Sequence, residues 1–297
     1  MKLSIIDIGT QSLKHYIFEQ NGEKHRLIYY QRHSEANLGE SDVLSPTTIE
    51  RNTKILQTCL DWNAAEKVSK IKIVGTEILR KAHNAGDFTS VVRAMSGCDI
   101  EIISQEKEAL YLYEGFLDVV PPNEKFAASN IGGGTTELVI GTKERMSASV
   151  KLPFGAKFIR KTFGEHDDID WQKLDEYLDK EIYVPEKAPE LFITGVLDFI
   201  TTIEPHIPFI ATAGDLPEHP LVLTMKDWRD WILKLRATRL ETLQSYFTKD
   251  PHFCDGTTIG HSVYYVFAQK LGIQRVIPSN RDLTDGIIYE MNRPTKH

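Results

Sequence analysis

The chain opens on short apolar runs separated by polar turns. Leu3 to Ile8 reads as a buried strand, Gly9 to Ser12 as a turn, and Lys14 to Phe18 as a second strand. Leu27 to Gln31, after the Asn21-Gly22 turn, starts a third, so the protein is expected to begin with an antiparallel meander. The period then changes. Ser45-Pro46 offers an N-cap followed by proline at the first helical position. Ile49, Leu56, Cys59 and Leu60 recur at helical spacing, which predicts a helix of about four turns.

Ile71 to Gly75 is a short apolar strand, a helix carries Ile78-Leu79-Arg80 and onward, Ile100 to Ile103 is a further strand, and a helix surrounds Glu108 to Gly115. Asp118 to Lys125, with two prolines, breaks the pattern, and a second meander follows over Phe126 to Ile131, Glu137 to Thr142 and Met146 to Pro153. The boundary is therefore placed here, giving domains at 1–120 and 121–297, with the last helix free to pack back on the first domain. Both halves repeat strand, glycine turn, strand, strand and helices, an α/β plan of duplicated βββαβα units. Later landmarks are strands at Leu191 to Thr194 and Leu221-Val222-Leu223, and a helix started by Thr224-Met225-Lys226-Asp227, which has the capping-box form. Apolar helices around Trp228 to Leu243 and Gly260 to Leu271 precede segments at Arg275 to Ile277 and Asp285 to Met291, and the tail Asn292 to His297 is expected to fray.

Composition narrows the class. With 297 residues, 41% of them hydrophobic, the chain can bury a core large enough to divide in two. A net charge of -7 argues against a surface given over to nucleic acid, though a local basic groove on an acidic body is compatible with it. Cys59, Cys98 and Cys254 are widely spaced and odd in number, which suggests buried thiols, with neither a disulfide framework nor a zinc site. The ten histidines include no HExxH pair. The apolar start at Leu3 is cut short by Asp7, and no apolar run approaches the roughly 18 residues of a membrane span, so a cytoplasmic protein without a membrane partner is expected.

The candidate chemistry lies in the two turns. Gly132-Gly133-Gly134 between two strands lets backbone N–H groups approach an anion, because side chains are absent and positive φ is allowed. Phosphate is the natural occupant; a ligand-free hairpin turn is the plain alternative. Neither GxxxxGK[ST] nor a dinucleotide fingerprint fits. Asp7-Ile8-Gly9-Thr10-Gln11-Ser12 is the counterpart, with a carboxylate at a strand end that can hold Mg²⁺ beside phosphate oxygens or simply cap a turn.

Four ordered segments carry a resemblance. Asp7 to Ser12, Gly75-Thr76-Glu77-Ile78-Leu79-Arg80-Lys81-Ala82-His83-Asn84, Glu101-Ile102-Ile103-Ser104-Gln105-Glu106-Lys107-Glu108-Ala109, and Asn130 to Gly141 stand in the order and spacing of the Ppx/GppA phosphatase family. The chain resembles that family through its first half and more weakly on to Gly286. The resemblance implies two ribonuclease-H-like (actin-like ATPase) domains with a cleft between them, and hydrolysis of the terminal phosphoanhydride of inorganic polyphosphate or guanosine pentaphosphate. It also implies Glu108 as the base that activates water, and Asp7, Asn130 and Glu137 at the magnesium site. Phosphate contacts would come from Gly9, Thr10, Gln11, Ser12, Arg80, Gly132, Gly133, Gly134 and Thr135. These types suit the chemistry, since phosphoryl transfer is mostly positioning and charge neutralisation. Read without the resemblance, Glu108 is a solvent-facing helix residue, Arg80 an ion-pair partner and Lys14 a solvated strand residue beside the first turn.

The sequence also departs from the family pattern. Asn130 stands where aspartate is usual, which removes a negative charge from the metal position. Only one glycine remains in Thr194-Gly195-Val196-Leu197-Asp198, where a Gly-Gly-Thr type of turn is expected; Gln105 replaces a glycine, Gln11 an asparagine and Thr284 a common arginine. A regulatory protein that binds polyphosphate or guanosine tetraphosphate with little or no turnover is therefore a second expectation, and a small-molecule kinase on the same fold a third. The extra helical C-terminal domain of longer members is not expected here, so a long polyphosphate channel would need a homodimer or would be absent.

Overall fold

The computed structural model describes residues 1–22, 24–36, 38, 42–204 and 221–292, so most of the expected frayed tail, 293–297, lies outside the described residues. The chain divides into two compact units, Met1–Glu108 with Ile287–His297, and Ala109–Gly286.

In the first unit β1 (Lys2–Ile8), β2 (Leu13–Asn21) and β3 (Lys24–His33) form the expected antiparallel meander. Helix α1 (Pro46–Ala65) then leads to β4 (Lys70–Gly75), which pairs parallel with β1. Ser45 caps α1 by accepting from the Thr48 N–H at 3.1 Å, as the Ser-Pro signal requires. The segment expected as one helix after β4 is two, α2 (Glu77–Lys81) and α3 (Ala85–Ser96). Long-range bonds make the break: the His83 N–H donates to the Asp42 carbonyl at 2.7 Å, and the Asn84 amide brackets Leu44, accepting from its N–H at 2.8 Å and donating to its carbonyl at 2.9 Å. Strand β5 (Ile100–Ile102) completes the sheet order β3-β2-β1-β4-β5. Ile6, Ile8, Leu56, Ile73 and Phe88 form the core between this sheet and α1 and α3.

Helix α4 (Gln105–Glu114) begins three residues earlier than the pattern indicates, because Ser104 accepts from the Lys107 N–H at 3.2 Å and so supplies the cap. The second unit repeats the meander as β6 (Phe126–Ile131), β7 (Thr136–Gly141) and β8 (Met146–Leu152), continues through α5 (Ala156–Phe163) and α6 (Trp171–Glu181), and returns to the sheet as β9 (Glu190–Thr194). After α7 (Leu197–Ile203), the expected strand at Leu221 to Leu223 is the two-residue β10 (Leu223–Thr224), which ends at Thr224 because that residue also caps the next helix. That helix, α8 (Met225–Ala237), carries the full capping box of Thr224 and Asp227.

The long helix expected over Trp228 to Leu243 stops at Thr238 and resumes as α9 (Leu240–Ser245). At the break, the Thr238 carbonyl is bonded to His166 Nε2 at 2.9 Å, and Asp167 Oδ1 accepts from the Leu240 N–H at 2.8 Å. Helix α10 (Phe253–Leu271), strand β11 (Arg275–Ser279) and helix α11 (Leu283–Asn292) follow. The sheet order is β10-β11-β9-β6-β7-β8. Read from the meander outward, both sheets run third, second, first and fourth strand of their unit and then a further parallel strand, β5 in the first and β11 in the second, and β10 adds an antiparallel edge only to the second sheet. Among the described residues, no helix is long and apolar enough to cross a membrane. Cys59, Cys98 and Cys254 are free thiols, Cys59 and Cys254 being buried, and burial pushes the Cys59 thiol up to about 12.

Candidate functional site

The two glycine turns are the same backbone object. In the first unit the Gly9 N–H donates to the Ser12 carbonyl at 3.0 Å; in the second the Gly132 N–H donates to the Thr135 carbonyl at 2.9 Å. A Cβ on Gly9 would lie 3.3 Å from the Ser12 carbonyl oxygen, and one on Gly132 3.3 Å from that of Thr135, so both positions are tight enough to favour glycine. Each turn links the first two strands of its meander. Asp7 therefore corresponds to Asn130 and Lys14 to Glu137, since Asp7 pairs across the ladder with Lys14 and Asn130 with Glu137.

What the turns present is decided by where their polar groups are spent. The Gly132 carbonyl accepts from the Ala156 N–H at 3.0 Å and the Gly133 carbonyl from the Lys157 N–H at 2.9 Å, so two acceptors of the second turn are consumed by the first turn of α5. The N–H groups of Gly133, Gly134 and Thr135 have no partner among the described residues. A loop with three of its four carbonyls bonded and three N–H groups open is suited to an anion. Gly155 permits the arrangement, because a Cβ there would sit 2.3 Å from the Gly132 oxygen. In the first turn, likewise, the Thr10 carbonyl accepts from the Leu38 N–H at 3.1 Å and the Ile8 carbonyl from the Thr76 N–H at 3.1 Å. The N–H groups of Thr10, Gln11 and Ser12 have no partner among the described residues.

Around the first turn the side chains form a charged group. Asp7, only 4% exposed, lies 3.6 Å from Lys14 Nζ. Thr10 donates to Glu77 Oε2 at 3.1 Å, and Glu77 also pairs with Lys81. Arg32 Nε donates to Ser12 Oγ at 3.3 Å. Glu108 is 5% exposed on the first turn of α4, so it is no solvent-facing helix residue. Arg80, on α2, forms an ion pair with it and donates to the Ile103 carbonyl at 2.6 Å. Arg80 and Glu108, assigned separate roles on sequence grounds, are thus brought together.

In the second unit, Glu137 is 1% exposed and stands opposite Asn130. Thr194, at the end of β9, donates through Oγ1 to Asn130 Oδ1 at 2.8 Å, and the Tyr264 hydroxyl on α10 donates to the Thr194 carbonyl at 3.2 Å. Burial raises the Tyr264 phenol above its ordinary range, so it stays protonated and serves as this donor. In the segment Thr194 to Asp198, Gly195 takes φ +68°, Val196 is buried, and Asn280 accepts from the Asp198 N–H at 3.2 Å while donating to its carboxylate at 2.8 Å.

The candidate residues thus fall into two groups. Asp7, Gly9, Thr10, Gln11, Ser12, Arg80 and Glu108 belong to the first unit, and Asn130, Gly132, Gly133, Gly134, Thr135 and Glu137 to the second. Sequence reasoning gave no role to Glu77, Gly155, Thr194 or Tyr264. Glu77 was within reach, lying in the segment Gly75 to Asn84, whereas the other three act through contacts that no local pattern announces.

A model of the Ppx/GppA phosphatase family matches residues 15–293. The chain belongs to the Ppx/GppA phosphatase family. Among solved structures, the Aquifex aeolicus member of the Ppx/GppA family is 22% identical with a TM-score of 0.80, over 100% of this chain and 99% of that one. An exopolyphosphatase from Cytophaga hutchinsonii is 18% identical with a TM-score of 0.84, over 98% of both chains. An exopolyphosphatase-like protein is 18% identical with a TM-score of 0.75, over 98% of this chain and 97% of that one. These likenesses establish the two-domain, actin-like ATPase fold of the Ppx/GppA family, with one mixed sheet in each unit.

Magnesium takes hard oxygen ligands and usually keeps several waters, so one or two carboxylates are enough to hold it. Asp7 and Glu137 have the donor chemistry for this. Asn130 is a weaker candidate for the metal role expected of it, because its amide oxygen is neutral and one of its two lone pairs already accepts from the Thr194 hydroxyl. Among the described residues, no group of three or more His, Cys, Asp or Glu side chains is gathered for a metal.

Proposed function

We propose that this Ppx/GppA protein hydrolyses the terminal phosphoanhydride of inorganic polyphosphate or guanosine pentaphosphate. The observation that carries the reading is the pair of matching turns, each with part of its carbonyls bonded and three successive N–H groups without a partner among the described residues. Glu108 would take a proton from the attacking water as the bond from the terminal phosphorus to the bridging oxygen breaks, and the shortened chain would leave as a stable phosphate anion. Such a leaving group needs no general acid of its own, so a single carboxylate of ordinary basicity is sufficient. Arg80 would have two tasks, fixing the Glu108 carboxylate through their ion pair and offering its remaining N–H groups to a phosphate oxygen. The carboxylates available to magnesium are Asp7 and Glu137, and the ion would supply charge neutralisation for the phosphate oxygens.

The test is release of inorganic phosphate from long-chain polyphosphate and from guanosine pentaphosphate, with Glu108→Gln alongside. Loss of a general base lowers the rate by roughly 10²–10⁴-fold. Equal release by both proteins would remove Glu108 from the chemistry. A second reading, a protein that binds these phosphates without turning them over, is favoured by the neutral Asn130 and by the single glycine left in the segment from Thr194 to Asp198. Binding of either substrate with no phosphate release by the wild-type protein would select it.

A further inference from the structure

We propose that Asn130 is a hydrogen-bond donor to a phosphate oxygen, and that the second glycine turn therefore holds phosphate without a metal ion. The inference rests on the phosphate-binding part of the reading above and does not require turnover.

The argument begins with a buried hydroxyl. Thr194 is 4% exposed, and its Oγ1 donates to Asn130 Oδ1 at 2.8 Å. The Tyr264 hydroxyl also lies in hydrogen-bonding reach of the Thr194 side chain, while its own proton goes to the Thr194 carbonyl. Turning the Asn130 amide over would give up the 2.8 Å bond from Thr194 Oγ1 to Oδ1, a loss of about 0.5–1.5 kcal/mol. The carbonyl of Thr194 is itself fixed by the Tyr264 hydroxyl at 3.2 Å, so the backbone that carries this donor is anchored from α10. The amide of Asn130 is thus set with its oxygen inward, and Nδ2 has no partner among the described residues.

Asn130 is half-buried at the end of β6, two residues before Gly132. Its amide N–H groups join those of Gly133, Gly134 and Thr135 on one short stretch of chain whose carbonyls at Gly132 and Gly133 are already bonded. Apart from the Gly134 carbonyl, what this stretch leaves open among the described residues is a set of donors. An aspartate in the same place would accept the Thr194 hydroxyl with one oxygen and present the other, charged, to the ligand, which would demand a cation between it and any phosphate. The amide has the same shape without that demand. A terminal phosphate, with several acceptor oxygens and no donor when fully ionised, matches a donor-rich surface.

The experiment measures binding of inorganic tripolyphosphate to the full chain by calorimetry, in EDTA and in excess Mg²⁺. The wild-type protein should bind in EDTA, with an affinity that Mg²⁺ changes by less than about threefold, well under the tenfold that corresponds to about 1.4 kcal/mol. Asn130→Asp should bind at least about tenfold more weakly in EDTA and recover with Mg²⁺, and Asn130→Ala should lose about three- to tenfold in both conditions. Thermal melts of each variant establish that it is folded, and Asn130→Ala still tests the donor role if Asn130→Asp is not. Wild-type binding that vanishes in EDTA, or either variant binding as tightly as wild type in EDTA, would overturn the inference. Metal-free binding by a protein that releases no phosphate would remove the hydrolase reading and leave this inference standing. Turnover by a protein that binds only with Mg²⁺ would do the reverse.

Discussion

Gly286→Ala should destabilise the protein although it replaces a helical glycine by the best helix former. Helices α4 and α11 cross within the second unit at their backbones. A Cβ built on Gly286 would lie 1.9 Å from the Tyr111 carbonyl oxygen, 2.6 Å from its carbon and 2.7 Å from its Cα. All three atoms are backbone, so no side chain can swing aside. Restoring an ordinary separation of 3.4 Å requires the helices to part by about 1.5 Å. Gly115 tightens the same crossing, since a Cβ there would be 2.8 Å from the Asp282 carbonyl oxygen. Overpacking of this kind costs about 1–3 kcal/mol or more, and the gain in helix propensity returns at most about 1 kcal/mol. The net expectation is a loss of about 2 kcal/mol, which for a unit of this size lowers its Tm by about 4–8 °C. The control is Gly86→Ala, at an exposed position in α3 where an added Cβ meets nothing within 4 Å. That change should stabilise the first unit by about 0.5 kcal/mol. Scanning calorimetry follows both proteins, because two units need not melt together. A Gly286→Ala transition at or above the wild-type temperature would refute the reasoning from backbone contact.

Three other outcomes follow from particular groups. His261 is buried among Phe199, Trp228, Trp231 and Tyr264, and burial lowers its pKa from 6.5 to about 4. The unfolded chain therefore binds the extra proton between those values, so the stabilisation is complete above pH 6.5 and is lost as pH falls toward 4, by about 3 kcal/mol in all. Denaturant titrations of the wild type and His261→Phe check it, and an equal pH slope in this window for both would count against the assignment. Gly155→Ala should push the second turn off α5, because the new Cβ would lie 2.3 Å from the Gly132 oxygen, and weaken tripolyphosphate binding by about tenfold or more. Unchanged binding by a folded variant would show that the turn is not the anion site. Lys72 should stay charged well into the alkaline range. Although partial burial works against its charge, its hydrogen bonds to Glu290 and Glu101 outweigh that and raise its pKa, so Glu290→Gln should bring its titration, followed by NMR of the ammonium group, to lower pH.

Strand periodicity and turn chemistry made the two meanders and both glycine turns legible, because each is built from bonds only a few residues apart. Helix α5 escaped notice for the opposite reason. It follows Gly155 with no side-chain cap, and its first N–H groups are satisfied by Gly132 and Gly133, more than twenty residues upstream. The breaks at His83 and Thr238 are likewise made by distant partners. Helix α6 is a different case, since Asp170 caps it by accepting from the Lys173 N–H at 3.0 Å and Trp171, Leu174 and Leu178 are apolar at helical spacing. That signal was present in the chain. At the site, residue types pointed to Glu108, Arg80 and the glycines, but the ion pair of Arg80 with Glu108 and the Thr194 bond to Asn130 depend on which strand ends the sheets bring side by side.

The duplicated turns also give Asn130 an electrostatic reading. In the first unit Asp7 faces Lys14, so the charged pair at the strand end is neutral without any ion. In the second, Glu137 stands between Asn130 on β6 and Lys151 on β8, so one carboxylate has one cation opposite it. Aspartate at 130 would add a further negative charge beside the open N–H groups of the turn. Bringing an anion within about 4 Å of one further carboxylate costs about 4 kcal/mol at an effective dielectric constant near 20, enough to make binding depend on a neutralising cation. A lysine opposite Asp7 and an amide in place of the second aspartate are thus two solutions to one electrostatic problem on one repeated backbone. The first adds a positive charge, and the second removes a negative one. If this is the logic of the fold, Lys14→Met should make the first turn more dependent on magnesium, as Asn130→Asp does the second, and the double variant should bind tripolyphosphate only with the metal present. Calorimetric binding by the double variant in EDTA at wild-type affinity would break the link between pair charge and metal demand.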